Sequence, residues 1–330
     1  MNNNILDCTL RDGGYINNWN FDNKFINEYL DLMSNLNITF VEIGFINNYQ
    51  TYKNELVGNV RHLDKKFIKE LSETYTNLKF VVMGDFGNIN YELLNENIPV
   101  DMVRIAFHKK NFKEALEECY NIKKLGYKVS ANPMAITNYN EDELNELIKL
   151  SNDYKIDYWY IVDSYGSLNQ LEVKLLYEKC KSKLRYSTLG IHLHNNMNNA
   201  FSNYEYLQNN FKNDNIIIDS TLYGMGRGAG NLQTELVLLS KQKDIEKNKI
   251  LQLLTFIHIN LKPYYKSNYN EWGYDIDFFV SGLLKIHPNY VVKMRDNNYT
   301  VLKIINTLFY LNENYKEESK SLDLTLISNI

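Results

Sequence analysis

The chain has 330 residues, 44% hydrophobic and 23% charged, with a formal net charge of −4 and a pI near 5.9. This is the composition of a folded globular protein, which sets aside disordered, fibrous and low-complexity classes, and the acidic balance gives no electrostatic reason to expect nucleic acid as a partner. No apolar stretch approaches a bilayer span, the start Met1-Asn2-Asn3-Asn4 lacks the basic and apolar regions of a signal peptide, and three widely spaced cysteines (Cys8, Cys119, Cys180) fit reduced core thiols. The expectation is a cytoplasmic protein with no membrane partner.

Short β-rich runs recur along the chain with helix-like segments between them. They begin at Ile5 to Leu10 and Thr39 to Phe45 and continue at Lys79 to Met83, Met102 to Phe107 and Tyr127 to Asn132. Tyr158 to Asp163, Leu189 to His194 and Ile216 to Leu222 complete the set. Intervening segments such as Phe112 to Leu125 and Glu141 to Asn152 place apolar residues at helical spacing. Eight such units predict an α/β fold, a TIM (β/α)8 barrel with a C-terminal helical extension; a doubly wound sheet is the second choice.

The barrel is expected over residues 1–245 and the helical region over 246–330, where Leu251 to Leu261 and Phe278 to Ile286 flank an aromatic-rich stretch, Pro263 to Tyr274. Rings between helices are expected in the core or an interface rather than over the barrel mouth. The charged segment Asn312 to Lys320 reads as a solvated helix or tail.

Barrel enzymes carry their chemistry at the C-terminal ends of the strands. Here those ends hold Arg11 and Asp12, Glu42, His108, Asp163 and Ser164, His192 and His194, and Asp219 and Ser220. Polar strand ends arise wherever loops begin, but that explains poorly a His-x-His inside the apolar run Leu189-Gly190-Ile191-His192-Leu193-His194. Alternate residues of a strand share a face, so both imidazoles point the same way and can close on one cation. The pair needs a carboxylate, and the charged run Ile5 to Tyr15 is its expected source. Two imidazoles and one carboxylate leave open positions for substrate oxygens on a divalent ion, which is a catalytic rather than a structural design. Asp7, Thr9 and Arg11 are expected by alternation to point into the barrel, with Asp7 in a buried structural role and Cys8 facing the other way. After the last strand, Tyr223-Gly224-Met225-Gly226-Arg227-Gly228-Ala229-Gly230-Asn231 does not have Walker-loop spacing and is read as barrel closure and site lining rather than nucleotide binding.

Four motifs in order, Asp7-Cys8-Thr9-Leu10-Arg11-Asp12-Gly13, Val162-Asp163-Ser164, His192-Leu193-His194-Asn195-Asn196 and Gly224 to Asn231, carry a resemblance over most of the chain. The chain resembles the pyruvate-forming metal aldolases of the 4-hydroxy-2-oxovalerate aldolase family, within the wider DRE-TIM metallolyase, HMG-CoA lyase-like group. The resemblance implies a divalent-metal-dependent aldolase that cleaves or forms a 4-hydroxy-2-oxo acid through a metal-bound pyruvate enolate. It implies Asp12, His192 and His194 as metal ligands and Arg11 beside the metal. It implies Ser164, His108 and Asn231, with Arg11 and His192, at substrate-contacting positions. Glu42 matches an acidic position that orients Arg11 or a metal-bound water, or serves as a supporting ion pair. The ion is expected to be Mn2+ first, with Mg2+, Co2+ or Zn2+ as alternatives. Expected partners are pyruvate and an aldehyde, an aldehyde dehydrogenase that takes up the aldehyde, and a second copy of the chain.

One departure matters. Where the aldolases place a general-base histidine shortly after Arg-Asp-Gly, this chain has Tyr15. A phenol ordinarily titrates near 10 against about 6.5 for imidazole, which makes Tyr15 a poor base at neutral pH and a candidate hydrogen-bond donor instead. The family also uses a C-terminal tyrosine, for which Tyr264 and Tyr265 are candidates. Two alternatives stand beside the aldolase. One is a Claisen-type acyltransferase joining an acyl-CoA to a 2-oxo acid, disfavoured because Gly226-Arg227 lacks the Glu-Arg pair usual there. The other is a non-catalytic metal-binding barrel subunit, motivated by Tyr15 alone.

Overall fold

A computed structural model describes residues 4–48, 57–241, 245–266 and 272–327. Its eight strands close into one barrel in chain order. They are β1 (Ile5–Asp7), β2 (Phe40–Phe45), β3 (Lys79–Asp85), β4 (Met102–Phe107), β5 (Val129–Pro133), β6 (Tyr158–Asp163), β7 (Thr188–Leu193) and β8 (Ile217–Ser220). All neighbours pair in parallel, and β8 returns to β1 through Ile5 beside Ile218 and Asp7 beside Ser220. The doubly wound alternative is thereby excluded.

Parallel neighbours require a crossover, and the sequence starts several of the crossover helices with a polar cap. Asp22, Asp64, Asn140 and Asn169 accept from backbone N–H groups of the first helical turn, and Asn140 with Glu143 and Asn169 with Glu172 form reciprocal capping boxes. Odd and even positions of each strand then divide between two environments. Val103, Ile105, Ile161, Ile191 and Ile218 face the helices in the main core, whereas Leu6, Cys8, Met102, Tyr160 and Ile217 fill the barrel interior. Gly190 makes room for one of these: a Cβ there would lie 2.3 Å from the Tyr160 ring.

β1 corrects one expectation. The strand stops at Asp7, whose carboxylate accepts from Thr9 N at 2.9 Å, and a turn follows in which Asp12 N donates to Cys8 O at 2.8 Å. Cys8 is therefore the inward residue. Asp7 faces the helix layer, accepting from the Tyr29 hydroxyl at 2.6 Å and from Thr234 Oγ1 at 2.5 Å, and Thr9 Oγ1 accepts from Leu222 N at 2.8 Å. Asp7 is buried and hydrogen-bonded as anticipated, but on the opposite face.

Beyond the barrel, the helix Lys247–Phe256 packs Phe256 against Phe25 at a centroid distance of 5.4 Å. Helices Ile276–Leu284, Asn289–Asp296 and Val301–Asn314 gather a separate apolar cluster around Phe278, Tyr290, Met294 and Leu308. Tyr265 packs edge-on against Tyr223 and Trp272; the side chain of Tyr264 lies outside the described residues. The segment Asn312 to Lys320 is solvated over most of its length, as expected, and begins as the end of a helix, but it is docked near its end. Ser319 is fully buried, its carbonyl accepts from His287 N at 3.0 Å, and the Lys320 carbonyl accepts from the Tyr165 hydroxyl at 3.0 Å. Backbone carbonyls, invisible to a charge count, dock this segment while its charged side chains stay near water. No helix among the described residues is long and apolar enough to cross a membrane.

Candidate active site

The inward face of the strands changes character from one end of the barrel to the other. Beyond the apolar layer, the next inward positions are Glu42 of β2, Arg104 of β4, His192 of β7 and Asp219 of β8, all buried. The turn after β1 adds Arg11 and Asp12, and His194 follows the end of β7, bridged to Asn231. Asp12, His192 and His194 each offer a donor atom within 4.8 Å of the other two. The two imidazoles stand edge to face with centroids 5.0 Å apart, and His192 Nε2 lies 3.8 Å from Asp12 Oδ2.

Each of these groups is held by another. His192 Nδ1 donates to Asp219 Oδ2 at 2.9 Å, which leaves Nε2 as the free donor atom on the Asp12 side, the second contact expected of a metal-binding histidine. Asp219 also accepts from Arg104 Nη2 at 2.5 Å. Arg104 Nη1 lies 3.2 Å from Glu42 Oε1, an ion pair without hydrogen-bond alignment, and its guanidinium sits 4.2 Å from the Tyr160 ring centroid. Glu42 Oε2 accepts from Arg11 Nε at 2.6 Å, and Arg11 Nη1 donates to Asp12 Oδ1 at 2.7 Å. Asp12, Arg11, Glu42, Arg104, Asp219 and His192 thus form one buried chain of alternating charge that begins and ends on the ligand set.

The electrostatics follow from this chain. Burial opposes ionisation of Asp12, but Arg11, His192, His194 and Arg227 outweigh it and hold the carboxyl well below its usual range. Burial, with His192 adding to it, brings His194 down to about 3, so the imidazole is neutral and its lone pair is available to a cation. Burial first, then Asp219 and Glu42, push the Cys8 thiol far above its usual range, which removes it as a nucleophile. Cys8, His192 and Asp219 also bring donor atoms together, but His192 Nδ1 and Asp219 Oδ2 are already engaged with each other.

Asn231 supplies a further sign that the pocket suits a cation. Its Nδ2 donates to Asp12 Oδ2 at 2.5 Å, and its buried Oδ1 has no protein partner among the described residues. Oxygen and imidazole nitrogen donors around the Asp12 carboxylate fit a divalent ion.

A family model described as HMGL-like matches residues 2–257. The chain belongs to the HMGL-like family. Among its relatives, a 4-hydroxy-2-oxovalerate aldolase of Carboxydothermus hydrogenoformans is 25% identical over 240 residues, covering 71% of this chain and 69% of that protein. An oxaloacetate decarboxylase of Mycobacterium tuberculosis is 24% identical, covering 72% and 70%. Among solved structures, the N-terminal domain of a protein assigned as an aldolase from Bacteroides vulgatus superposes with a TM-score of 0.78 at 30% identity, covering 92% of this chain and 99% of that one.

Within this HMGL-like barrel the remaining residues singled out from sequence fall in two places. A cavity of about 60 Å3 holds Arg11, Asp12, Tyr15, Ser164, His192 and His194, with Arg104 at its wall. Tyr15 is fixed there by its ring, 4.6 Å from Trp19 and 4.1 Å from the Arg227 guanidinium. Ser164 Oγ accepts from Ala135 N at 2.8 Å and so joins the loops after β5 and β6. His108 is not in this cavity: it is exposed and lines a larger neighbour together with His287. Sequence reasoning missed Arg104, Arg227 as a lining residue of both Tyr15 and the cavity, and His287. For Arg104 a signal existed, since a charged residue central in the apolar run Met102 to Phe107 sits in phase with the inward Met102 and Ala106.

Proposed function

We propose that the chain is a divalent-metal-dependent aldolase, a carbon–carbon lyase that cleaves or forms a 4-hydroxy-2-oxo acid through the enolate of pyruvate. The observation that carries this reading is the meeting of Asp12, His192 and His194 within 4.8 Å, with Arg11 clamped beside them by Asp12 and Glu42. A divalent ion held by these three residues, Mn2+ by preference, would supply Lewis-acid polarisation of the 2-oxo acid. Arg11 supplies the fixed cation. Its Nε and Nη1 are engaged by carboxylates and Nη2 has no protein partner among the described residues, so this donor is left for the oxygen on which enolate charge develops. Lysine could not replace it, because one ammonium cannot hold two carboxylates in this fork and still aim a third donor.

The activities for which the relatives are named support the same intermediate. Aldol cleavage of a 4-hydroxy-2-oxo acid and decarboxylation of oxaloacetate both break the bond to carbon 3 of a pyruvate skeleton and leave the same enolate. The proposed setting is the cytoplasm, with pyruvate and an aldehyde as the small-molecule substrates.

The test is proton exchange at the pyruvate methyl in deuterated buffer, followed by NMR after metal removal, with Mn2+ or Mg2+ and a chelator control. The expected result is exchange that needs the ion and disappears with Arg11→Ala. Exchange no faster than in protein-free buffer with Mn2+, Mg2+, Co2+ or Zn2+ would refute the reading.

A further inference from the structure

The 60 Å3 cavity is small beside the roughly 300–1,000 Å3 of ordinary ligand pockets. It suits a three-carbon donor and leaves the acceptor to a neighbouring space. That space exists. A cavity of about 420 Å3 adjoins it, with Met134 on the wall of both. Its ionisable lining is His108, Lys109, Lys110, His287, Glu317 and Lys320.

The charge of this lining is unusual for a chain with a net charge of −4. Three ammonium groups face one lining carboxylate, Glu317, which Lys320 already binds at 2.7 Å. Lys109 is engaged by Glu143 at 2.9 Å, from outside the cavity. Lys110 has neither ion pair nor hydrogen bond among the described residues, and its charge is felt at His108. Arg227, on the wall of the smaller cavity, acts electrostatically on both His108 and His287, and its buried Nε has no partner. His287 Nδ1 accepts from Asn289 N at 3.2 Å, which leaves Nε2–H as a donor. An anion entering here would meet one free ammonium and an imidazole N–H, without displacing any carboxylate, in the positive field of Arg227 on the wall of the smaller cavity.

We infer that this cavity is the acceptor subsite and that the acceptor aldehyde is anionic, carrying a carboxylate or phosphate ester away from its carbonyl. The inference rests on the aldolase reading and deepens it. In the condensing direction the pyruvate methyl loses a proton, its carbon bonds to the aldehyde carbonyl carbon, and the aldehyde oxygen takes up a proton, so the product is a 4-hydroxy-2-oxo acid with a second anionic group. One wall of the cavity, His287, Glu317 and Lys320, lies beyond residues 2–257, the part the family model matches. Acceptor choice is therefore set partly by this chain's own C-terminal segment.

The experiment compares kcat/KM for condensation of pyruvate with paired aldehydes. Glyceraldehyde 3-phosphate is set against glyceraldehyde, and succinic semialdehyde against butanal, which also separates phosphate from carboxylate. A charge-assisted contact predicts at least a tenfold preference for one anionic member over its neutral partner. Lys110→Ser should cut that ratio about fivefold or more, and Lys113→Ser, an exposed lysine paired with Glu146 outside the cavity, should leave it unchanged. Calorimetric titration of the wild type and Lys110→Ser with inorganic phosphate and with succinate gives a readout independent of turnover, with binding expected to weaken in the variant. Pyruvate exchange with ratios under twofold for both pairs, or with no turnover of either anionic aldehyde, overturns the subsite while leaving the aldolase intact. Absence of exchange overturns both.

Discussion

Replacing Arg104 by methionine tests the buried charge chain at its centre. Methionine fills the barrel only as far as the Nε position, so the guanidinium is lost together with its stacking on Tyr160, 4.2 Å from the ring centroid. Before the change, three carboxylates (Asp12, Glu42, Asp219) face two guanidiniums (Arg11, Arg104), which leaves one negative charge among fully buried groups; afterwards there are two. Breaking a buried pair from one side costs about 3–5 kcal/mol, because the partners remain uncompensated. Urea unfolding of the chelator-treated protein, followed by tryptophan fluorescence, should show a loss of that size. Adding Asp219→Asn should return part of it, since the amide oxygen still accepts from His192 Nδ1 and one buried charge is gone. The double variant should be about 1–2 kcal/mol more stable than the sum of the single losses. A loss under about 1 kcal/mol for Arg104→Met, or additivity within about 0.5 kcal/mol, would refute the idea that these charges are buried as one coupled unit.

His192→Ala should lose metal binding and turnover together, whereas Arg11→Ala should keep metal in calorimetric titration and lose about 10²–10³-fold in turnover, the scale of a missing oxyanion donor. Gly226→Ala places a Cβ 2.2 Å from Asn231 Nδ2 and 3.2 Å from Asp12 Oδ2, so metal affinity should fall about 10–100-fold, as for other outer-shell lesions, with a near-native circular dichroism spectrum. Tyr15→Phe retains the ring contacts with Trp19 and Arg227, so less than a tenfold loss is expected; a fall of about 10²-fold or more in kcat would instead assign the hydroxyl to proton transfer. Glu235 is raised to about 7 by burial, against the hydrogen bond it accepts from Tyr223 N, and Asp7 adds to the rise. Its folded state binds the proton more tightly than the unfolded chain, so its contribution to stability is undiminished below about pH 4.5 and falls as pH rises from there through about 7. Glu235→Gln should therefore gain on the wild type across that window, by about 1–2 kcal/mol after allowance for a half-buried carboxyl, and equal stability differences at pH 4.5 and 8 would contradict the assignment.

How much of this was legible in the sequence varied with the local rule. Runs in which neither face meets water, such as Met102 to Phe107 and Tyr158 to Asp163, are continuous β-formers, and their bounds read correctly to the residue. The first run looked equally strand-like, but Asp7 captures Thr9 N and ends the strand three residues early, so extending alternation through Arg11 reversed the facing of Asp7 and Cys8. His192 and His194 were legible because an imidazole pair is rare in an apolar run. Arg104 obeys the same phase rule yet carried no chemical motif, and its meaning depends on Glu42 and Asp219, which adjoin it only after closure of the barrel. His287 had no local signal: a histidine in a short connection between helices acquires a role only because Ser319 draws its backbone to the barrel mouth.

A buried set of charges is seldom a net gain in stability over apolar residues of the same volume. Its presence in the inward layer of this barrel, directly above apolar Met102, Tyr160 and Ile217, is better explained by geometry. Each end of the chain of charges meets the proposed ion, Asp12 directly and Asp219 through His192, and Arg11 is fixed between two carboxylates of that chain. A change at Glu42, Arg104 or Asp219 then reaches both the proposed ligand set and Arg11, the group proposed to receive enolate charge. The larger cavity touches none of these links: its cations lie on the loop after β4 and on the C-terminal segment. On the proposed assignment, acceptor preference changes through Lys110, His287 or Lys320 without disturbing the donor chemistry, and two of these three, His287 and Lys320, lie beyond the matched stretch 2–257.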